Sequence, residues 1–339
     1  MQPRGPSPAI LLSVLGLGVW LSSHALAQER PQLSMPLVCQ PHKTCFIQTY
    51  VDDDPGRGAK DYMCGTATYD KHSGVDFRLL SAAAATTTPF AVIASADGTV
   101  KAVRDGVTDV FFKAAKPQDV SGRECGNGVI LEHADGWETQ YCHLRKGSVR
   151  VSKGQSVKRG AQLGEAGYSG TADFAQVHLS VRHNGKIVDP FLPDAPQGSC
   201  DPNAKGPGLW EPEVAAAFPY RNGEVIGAGF AGGPPDVNAL EADDQDIVAL
   251  NATSEGFVLY GRFINLKKGD RINFTALGPG GELFDETSDP VDRDKATFVA
   301  FVGKKRGNDP WPTGHYDGRV ALVRDGGIIA TNVVSADVK

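Results

Sequence analysis

Three short segments carry the side chains with chemistry to offer: Lys71-His72-Ser73-Gly74-Val75-Asp76-Phe77, Tyr141-Cys142-His143-Leu144 and Val177-His178-Leu179-Ser180-Val181-Arg182. Each sets a histidine in or beside a strand-like run. A lone histidine in a strand is most often a hydrogen-bonded structural residue. Two histidines and an aspartate together meet the count of a catalytic zinc site, which supplies three protein ligands and leaves the fourth tetrahedral position to water. In a straight strand the four-residue step from His72 to Asp76 spans about 13 Å with both side chains on one face. That is too wide for coordination, so the chain is expected to bend, with Gly74 between them as the residue that permits it.

The elements that must position these groups read as strands. From Tyr69 onward short β-branched runs alternate with glycine turns, helical periodicity is scarce, and 40 Gly with 22 Pro in 339 residues supply the turns of an all-β fold. Gly128–Glu132 and Glu138–Tyr141 pair as a hairpin around Ala134-Asp135-Gly136, and Cys125 and Cys142 lie almost equidistant from that turn, which predicts a cross-strand disulfide. Residues 28–65 read as irregular. Pro190, Pro193, Pro196, Pro202, Pro207 and Pro212 crowd one stretch, placing a linker at 201–219. Beyond it, strands are expected at Gly256–Phe263, Arg271–Ala276 and Ala296–Val302, with a hairpin from Arg319 to Val334 turned at Asp325-Gly-Gly327. This is the spacing of an antiparallel, immunoglobulin-like β-sandwich over 220–339.

Residues 1–27 have the form of a secretory signal peptide: Arg4, an apolar run from Ala9 to Leu21, then Ala25-Leu-Ala27. The run is shorter than the roughly 20 residues that span a bilayer, and nothing later is long enough. An exported protein, periplasmic or secreted, is expected. All six cysteines follow residue 27, and an oxidising compartment makes them three disulfides, fifteen pairings being open. The absence of any C-x-x-C pair argues against a cysteine zinc site. A net charge of −6 argues against binding nucleic acid through its phosphates.

In order and spacing these segments resemble the lysostaphin/LytM-type zinc endopeptidases, whose pattern is H-x-x-x-D, then Y-x-H-L, then H-L-H-F before G-x-x-V-D-P. The likeness covers about residues 65–192 and includes Ala94-Ser-Ala-Asp-Gly-Thr-Val100, Gly126-Asn-Gly-Val-Ile-Leu-Glu-His133 and Gly164-Glu-Ala-Gly-Tyr-Ser-Gly170. It implies an antiparallel β-sheet peptidase domain over 28–200, including an N-terminal extension. It implies Zn2+ held by His72, Asp76 and His178, with His143 as a catalytic histidine and peptidoglycan peptides as substrate. Counting back from Gly185 and Val188-Asp189-Pro190 sets Gln176 where the family carries its other catalytic histidine. The alternative register, with Ser180 in the ligand's place, needs a two-residue deletion. A glutamine amide can donate to an oxyanion but cannot take up a proton near neutral pH. The resemblance therefore implies either a zinc endopeptidase or a weakened relative that binds wall peptides or regulates a partner hydrolase; the C-terminal sandwich is a candidate surface for a protein partner.

Other polar residues read as structural. His133 sits at a hairpin end, His183 falls on the strand face opposite His178, and His42 and His315 lie in loops without a partner signal. Asp52-Asp53-Asp54 reads as a solvated acidic turn rather than a calcium loop.

Overall fold

The computed structural model describes residues 1, 2, 5, 30–111, 119–196, 198–242 and 249–339. The signal-peptide reading lies outside the described residues. Among these, no helix is long and apolar enough to cross a membrane.

The first unit comprises β1 (Cys45–Thr49), β2 (Val75–Leu79), α1 (Ala82–Thr87), β3 (Ala91–Ile93), β4 (Gly98–Arg104), β5 (Asn127–Glu132), β6 (Trp137–Leu144), β7 (Ser156–Val157), β8 (Gln162–Glu165), β9 (Gln176–His183) and β10 (Lys186–Ile187). Its main sheet has the order β1-β2-β9-β6-β5-β4-β7, with β10 paired to β9; β3 and β8 form a separate ribbon. Alternation divides the sheet's side chains. Val75 and Phe77 of β2, Val129 and Leu131 of β5, and Val177 and Leu179 of β9 join one buried apolar cluster. Asp76, Arg78, Gln176, His178 and Ser180 therefore fall on the other face.

β1 corrects the expectation that 28–65 is irregular. All five of its residues are buried, and it pairs antiparallel with β2, Cys45 opposite Leu79 and Ile47 opposite Phe77. Five residues are too few for a periodicity to stand out. The 201–219 stretch, expected as a linker, contains α2 (Pro212–Ala217) and packs into the same core through Leu209, Trp210 and Phe218. Phe77 meets the Trp210 and Phe218 rings at 5.9 and 5.8 Å, edge to face. The prolines set the turns, and the apolar residues between them dock.

Beyond follow β11 (Glu224–Ala231), α3 (Val237–Ala242), β12 (Gly256–Leu266), β13 (Arg271–Gly278), β14 (Gly281–Thr287), β15 (Lys295–Lys305), β16 (Gly314–Arg324) and β17 (Gly327–Val338). They form two antiparallel sheets, β11-β12-β15 and β14-β13-β16-β17. Phe257, Leu259 and Phe263 of one sheet share a core with Phe274, Tyr316 and Val320 of the other, making the expected β-sandwich. The four foreseen strand regions are β12, β13, β15 and the β16–β17 hairpin; β11 and β14 were not foreseen. The disulfides are Cys39–Cys45, Cys64–Cys200 and Cys125–Cys142, the last as the hairpin geometry predicts.

The two units are packed together. Phe46 lies in an apolar cluster with Ile226 and Ile264, Asn265 Nδ2 donates to the Gln48 carbonyl at 2.8 Å, and Arg262 Nη2 donates to the Leu80 carbonyl at 2.6 Å. His42, read as a loop histidine without a partner, faces Glu224 at 3.0 Å and the Ala217 carbonyl at 2.9 Å, ties that sequence distance concealed.

Candidate active site

The sheet register sets two of the candidate ligands side by side, since Asp76 of β2 is directly opposite His178 of β9. His72 lies before β2, in a turn where its N–H donates to the Tyr69 carbonyl at 3.0 Å and Lys71 adopts φ 65°. Asp52 braces that turn: its Oδ2 accepts from the Lys71 N–H at 2.8 Å, and its own N–H donates to the His72 carbonyl at 2.9 Å. The bend therefore falls before Gly74. What Gly74 provides is space, because a Cβ there would stand 2.5 Å from the Leu179 carbonyl oxygen and 2.6 Å from His178 Nε2.

His72 Nε2 lies 3.1 Å from His178 Nδ1 and 3.2 Å from Asp76 Oδ2, and His178 Nδ1 lies 2.8 Å from Asp76 Oδ1. Ligands bound at about 2.0–2.1 Å around a tetrahedral ion stand about 3.3 Å apart, so these three donors already have nearly the separations an ion imposes. Among the described residues they are the one group of three or more His, Cys, Asp or Glu gathered closely enough to hold a metal.

The tautomers fit as well. A carbonyl only accepts, so His72 Nδ1, 2.7 Å from the Tyr50 carbonyl, carries the hydrogen and Nε2 presents its lone pair inward. His178 Nε2 faces Ser180 Oγ at 2.9 Å, leaving Nδ1 to the cluster. Burial works against charge on Asp76, but His72 and His178 outweigh it and hold the carboxyl well below the usual carboxylate range. Burial likewise opposes a charged His72, and Asp76 overcomes it, so His72 is raised. An anionic oxygen with two imidazoles is a suitable donor set for zinc.

His143 occupies the end of β6 with φ 64°, a sparsely populated conformation for a non-glycine residue. A register shift between Asn127 and Val129 accompanies it. Its Nδ1–H donates to the Ser169 carbonyl at 2.8 Å, and its ring centre is 6.0 Å from that of His178. Burial first, then the neighbouring His178, lowers its pKa to about 4. Gln176 sits two residues before His178 on the same face, 4% exposed, its Oε1 buried without a hydrogen-bond partner. The structure thus gathers His72, Asp76 and His178, sets the His143 ring beside that of His178, and places Gln176 on the same strand face as His178.

Sequence reasoning missed Tyr69, whose exposed ring is centred 4.6 Å from that of His72; its place three residues upstream in the same segment was the available signal. It also missed Ser180, which alternation puts beside His178. The Tyr50 and Ser169 carbonyls left no signal, since any residue can supply one. On the same face a cleft of about 290 Å³, lined by Arg104, Gly126, Gly128, Ile130 and Gln140 among others, extends the floor past β6.

The remaining histidines among the described residues are accounted for structurally. His133 bonds to the Asp97 carbonyl and Thr139 Oγ1, His183 stacks on Trp137 at 4.4 Å, and exposed His315 pairs with Asp337. The acidic turn is only partly solvated, since Asp53 is half-buried and burial, with Asp52, raises its carboxyl to about 6.

Residues 70–190 match peptidase family M23, and the first unit is therefore an M23 peptidase domain of the lysostaphin/LytM type. The chain is 41% identical over 71 residues to the cell division protein DipM of Caulobacter vibrioides, covering 21% of this chain and 11% of that protein. It is 37% identical over 71 residues to the peptidoglycan DD-endopeptidase ShyB of Vibrio cholerae, covering 21% and 16%. Among solved structures it is similar to a variant catalytic domain of the prophage-encoded M23 protein EnpA from Enterococcus faecalis, with 23% identity, TM-score 0.30, and 49% of this chain and 95% of that chain covered. The chain thus spans under a fifth of the length of these two curated relatives.

Proposed function

We propose that this chain is an exported zinc endopeptidase that hydrolyses peptide bonds of bacterial peptidoglycan. The observation that carries the reading is the convergence of His72 Nε2, Asp76 and His178 Nδ1 within 4.8 Å of one another, inside a domain that matches peptidase family M23. Three disulfides suit an oxidising, extracytoplasmic compartment.

His72, Asp76 and His178 would hold the ion, their outward atoms fixed by Tyr50 and Ser180. Zinc in such a site polarises a peptide carbonyl and lowers the pKa of a water to about 7. His143, with its hydrogen on Nδ1, presents a bare Nε2 that accepts the attacking water's proton and returns it to the leaving amine. Gln176 can donate from its amide to the developing oxyanion, a contribution worth roughly 10²–10³ in rate for a well-placed donor. It cannot act as a second base.

That last point favours a second reading, in which the chain keeps the metal site, turns over slowly, and binds wall peptides or a partner hydrolase, with the β-sandwich as the partner surface. Mass spectrometry of peptides released from purified peptidoglycan by residues 28–339 with zinc decides between them, run beside His72→Ala and Gln176→His. Zinc-dependent release lost in His72→Ala is the expected result. No release from the natural sequence, with release by Gln176→His, would overturn it in favour of the second reading.

A further inference from the structure

The face that carries the metal-ligand cluster also carries a buried arginine, Arg78, that the hydrolytic reading does not use and that meets a second buried arginine, Arg262 of β12, across one carboxylate. Arg78 follows Asp76 by two residues on β2, so it projects to the same face about 7 Å further along the strand. Its Cα partner on β9 is Gln176, beside the Asp76–His178 pair. The Arg78 side chain is fully buried. Within its own unit it is held by neutral groups: Gln48 Oε1 accepts from Nη1 at 2.6 Å, and the Phe174 ring lies 4.7 Å from the guanidinium carbon.

Its counter-charge comes from elsewhere. Glu241, on α3 of the second unit, accepts from Arg78 Nη2, and its other oxygen lies 3.2 Å from Arg262 Nη2. Two buried guanidiniums thus face one carboxylate. Arg78 Nε and Arg262 Nε are both buried and unpaired, and Gln176 Oε1 on the neighbouring strand is unpaired as well. Buried charges are ordinarily matched and their hydrogen-bonding groups satisfied. Two planar forks around a single carboxylate, with donors to spare, have the composition of an anion-binding site. The asymmetry of burial agrees: the arginine side chains are 0% and 7% exposed, while the Glu241 side chain is 15% exposed and so is the reachable partner.

We propose that Arg78 and Arg262 form a carboxylate-binding subsite at the β1–β2 end of the substrate groove, filled here by the chain's own Glu241. A carboxylate of the peptide substrate takes the place of Glu241 when it binds. The peptide is thereby fixed one strand-repeat from the metal ligands, and acidic peptides are selected over their amides. The inference rests on the proposed reading of this face as a peptide-binding groove.

The test is calorimetric binding of a soluble wall peptide to the metal-free full chain, comparing the peptide with free carboxylates and the same peptide fully amidated. The natural chain should prefer the acid form. Glu241→Gln, which keeps shape and removes charge, should tighten the acid peptide by about tenfold or more and leave the amide within about twofold. Adding Arg262→Gln should cancel that gain. Equal affinity of the natural chain for the two peptides would overturn the proposal without any variant, as would an equal shift of both peptides in a folded Glu241→Gln protein. Acid preference without hydrolysis under zinc would sink the peptidase reading alone; hydrolysis without acid preference would sink only the subsite.

Discussion

Replacing Gly74 by alanine should empty the metal site, with a local cost to the β2–β9 pairing beside it. The new Cβ would meet the Leu179 carbonyl oxygen at 2.5 Å and His178 Nε2 and Cε1 at 2.6 and 2.7 Å, where ordinary contact begins at 3.4 Å. The His178 imidazole must swing away, and because the Leu179 carbonyl belongs to the β2–β9 ladder, where Leu179 is opposite Val75, the backbone at residue 74 must shift as well. The shortfall is about 0.8 Å, against a tolerance of about 0.2 Å for metal–ligand distances. Disturbing the groups that merely orient a ligand costs 10–100-fold in metal affinity; displacing the ligand itself belongs at or beyond the upper end, about 100-fold, or about 2.7 kcal/mol. Competition titration against a chromophoric zinc chelator measures it directly. The rise in melting temperature on adding zinc should shrink in parallel, because stabilisation follows the ratio of free ligand to dissociation constant. A melt without zinc serves as the control for folding. Zinc affinity within threefold of the natural chain, in folded Gly74→Ala, would refute the assignment of His178 as a ligand.

Two further outcomes follow from the packing around the site. The Asp189 carboxyl is raised to about 8, by burial first and then by Asp53, while its Oδ1 accepts from the Phe191 N–H at 2.7 Å. A raised carboxyl binds its proton more tightly when folded, so its contribution is complete below about pH 4 and is lost as pH rises through about 8, at about 1.4 kcal/mol per unit. Urea melts from pH 5 to 8 should show the natural chain losing stability relative to Asp189→Asn; parallel curves would disprove the effect. Trp210→Ala removes a ring that is 1% exposed, and should cost about 3–5 kcal/mol on thermal unfolding if 201–219 belongs to the first core. A loss under 1 kcal/mol would restore the view of that stretch as a passive connection.

The parts of the fold that could be read from the sequence were those whose signal is local. The β5–β6 hairpin announces itself through Ala134-Asp135-Gly136, where Asp135 and Gly136 take φ 53° and 75°, and the Cys125–Cys142 bridge follows from strand pairing alone. β16 and β17 are likewise marked by Asp325 and Gly326, at φ 50° and 78°. What the sequence concealed depends on distant partners. β1 is a strand because β2 pairs with it, and Trp210 is a core residue because Leu33 and Phe77 are there to meet it. Proline density correctly located turns, but turns between buried residues are not a flexible connection.

The site shows the same division one level down. Residue type and spacing could name the donors, because only histidine and aspartate offer that chemistry, and β-alternation explains why Gln176, His178 and Ser180 share a face. Neither could show which ring nitrogen of each histidine is free, and that determines what each can do. His72 and His143 are both held by a backbone carbonyl, from Tyr50 and Ser169, on Nδ1, so each keeps Nε2 bare, that of His72 within the cluster. His178 is held on Nε2 by Ser180 and directs Nδ1 instead. His72 and His143 are thus held on Nδ1 by carbonyls 22 and 26 residues away in sequence, while His178 lies between the Asp76 carboxylate on Nδ1 and the Ser180 hydroxyl, two residues on, at Nε2. Gln176 has no such anchor on its Oε1. In the register where the resemblance expects a second histidine, the chain carries an amide, on the residue opposite the fully buried Arg78 in the β2–β9 ladder, rather than a base held in one tautomer. The departure at Gln176 and the arginine on β2 thus meet on one strand pair, so the proposed proton transfer at His143 and the proposed charge recognition at Arg78 would lie on either side of the His178 strand.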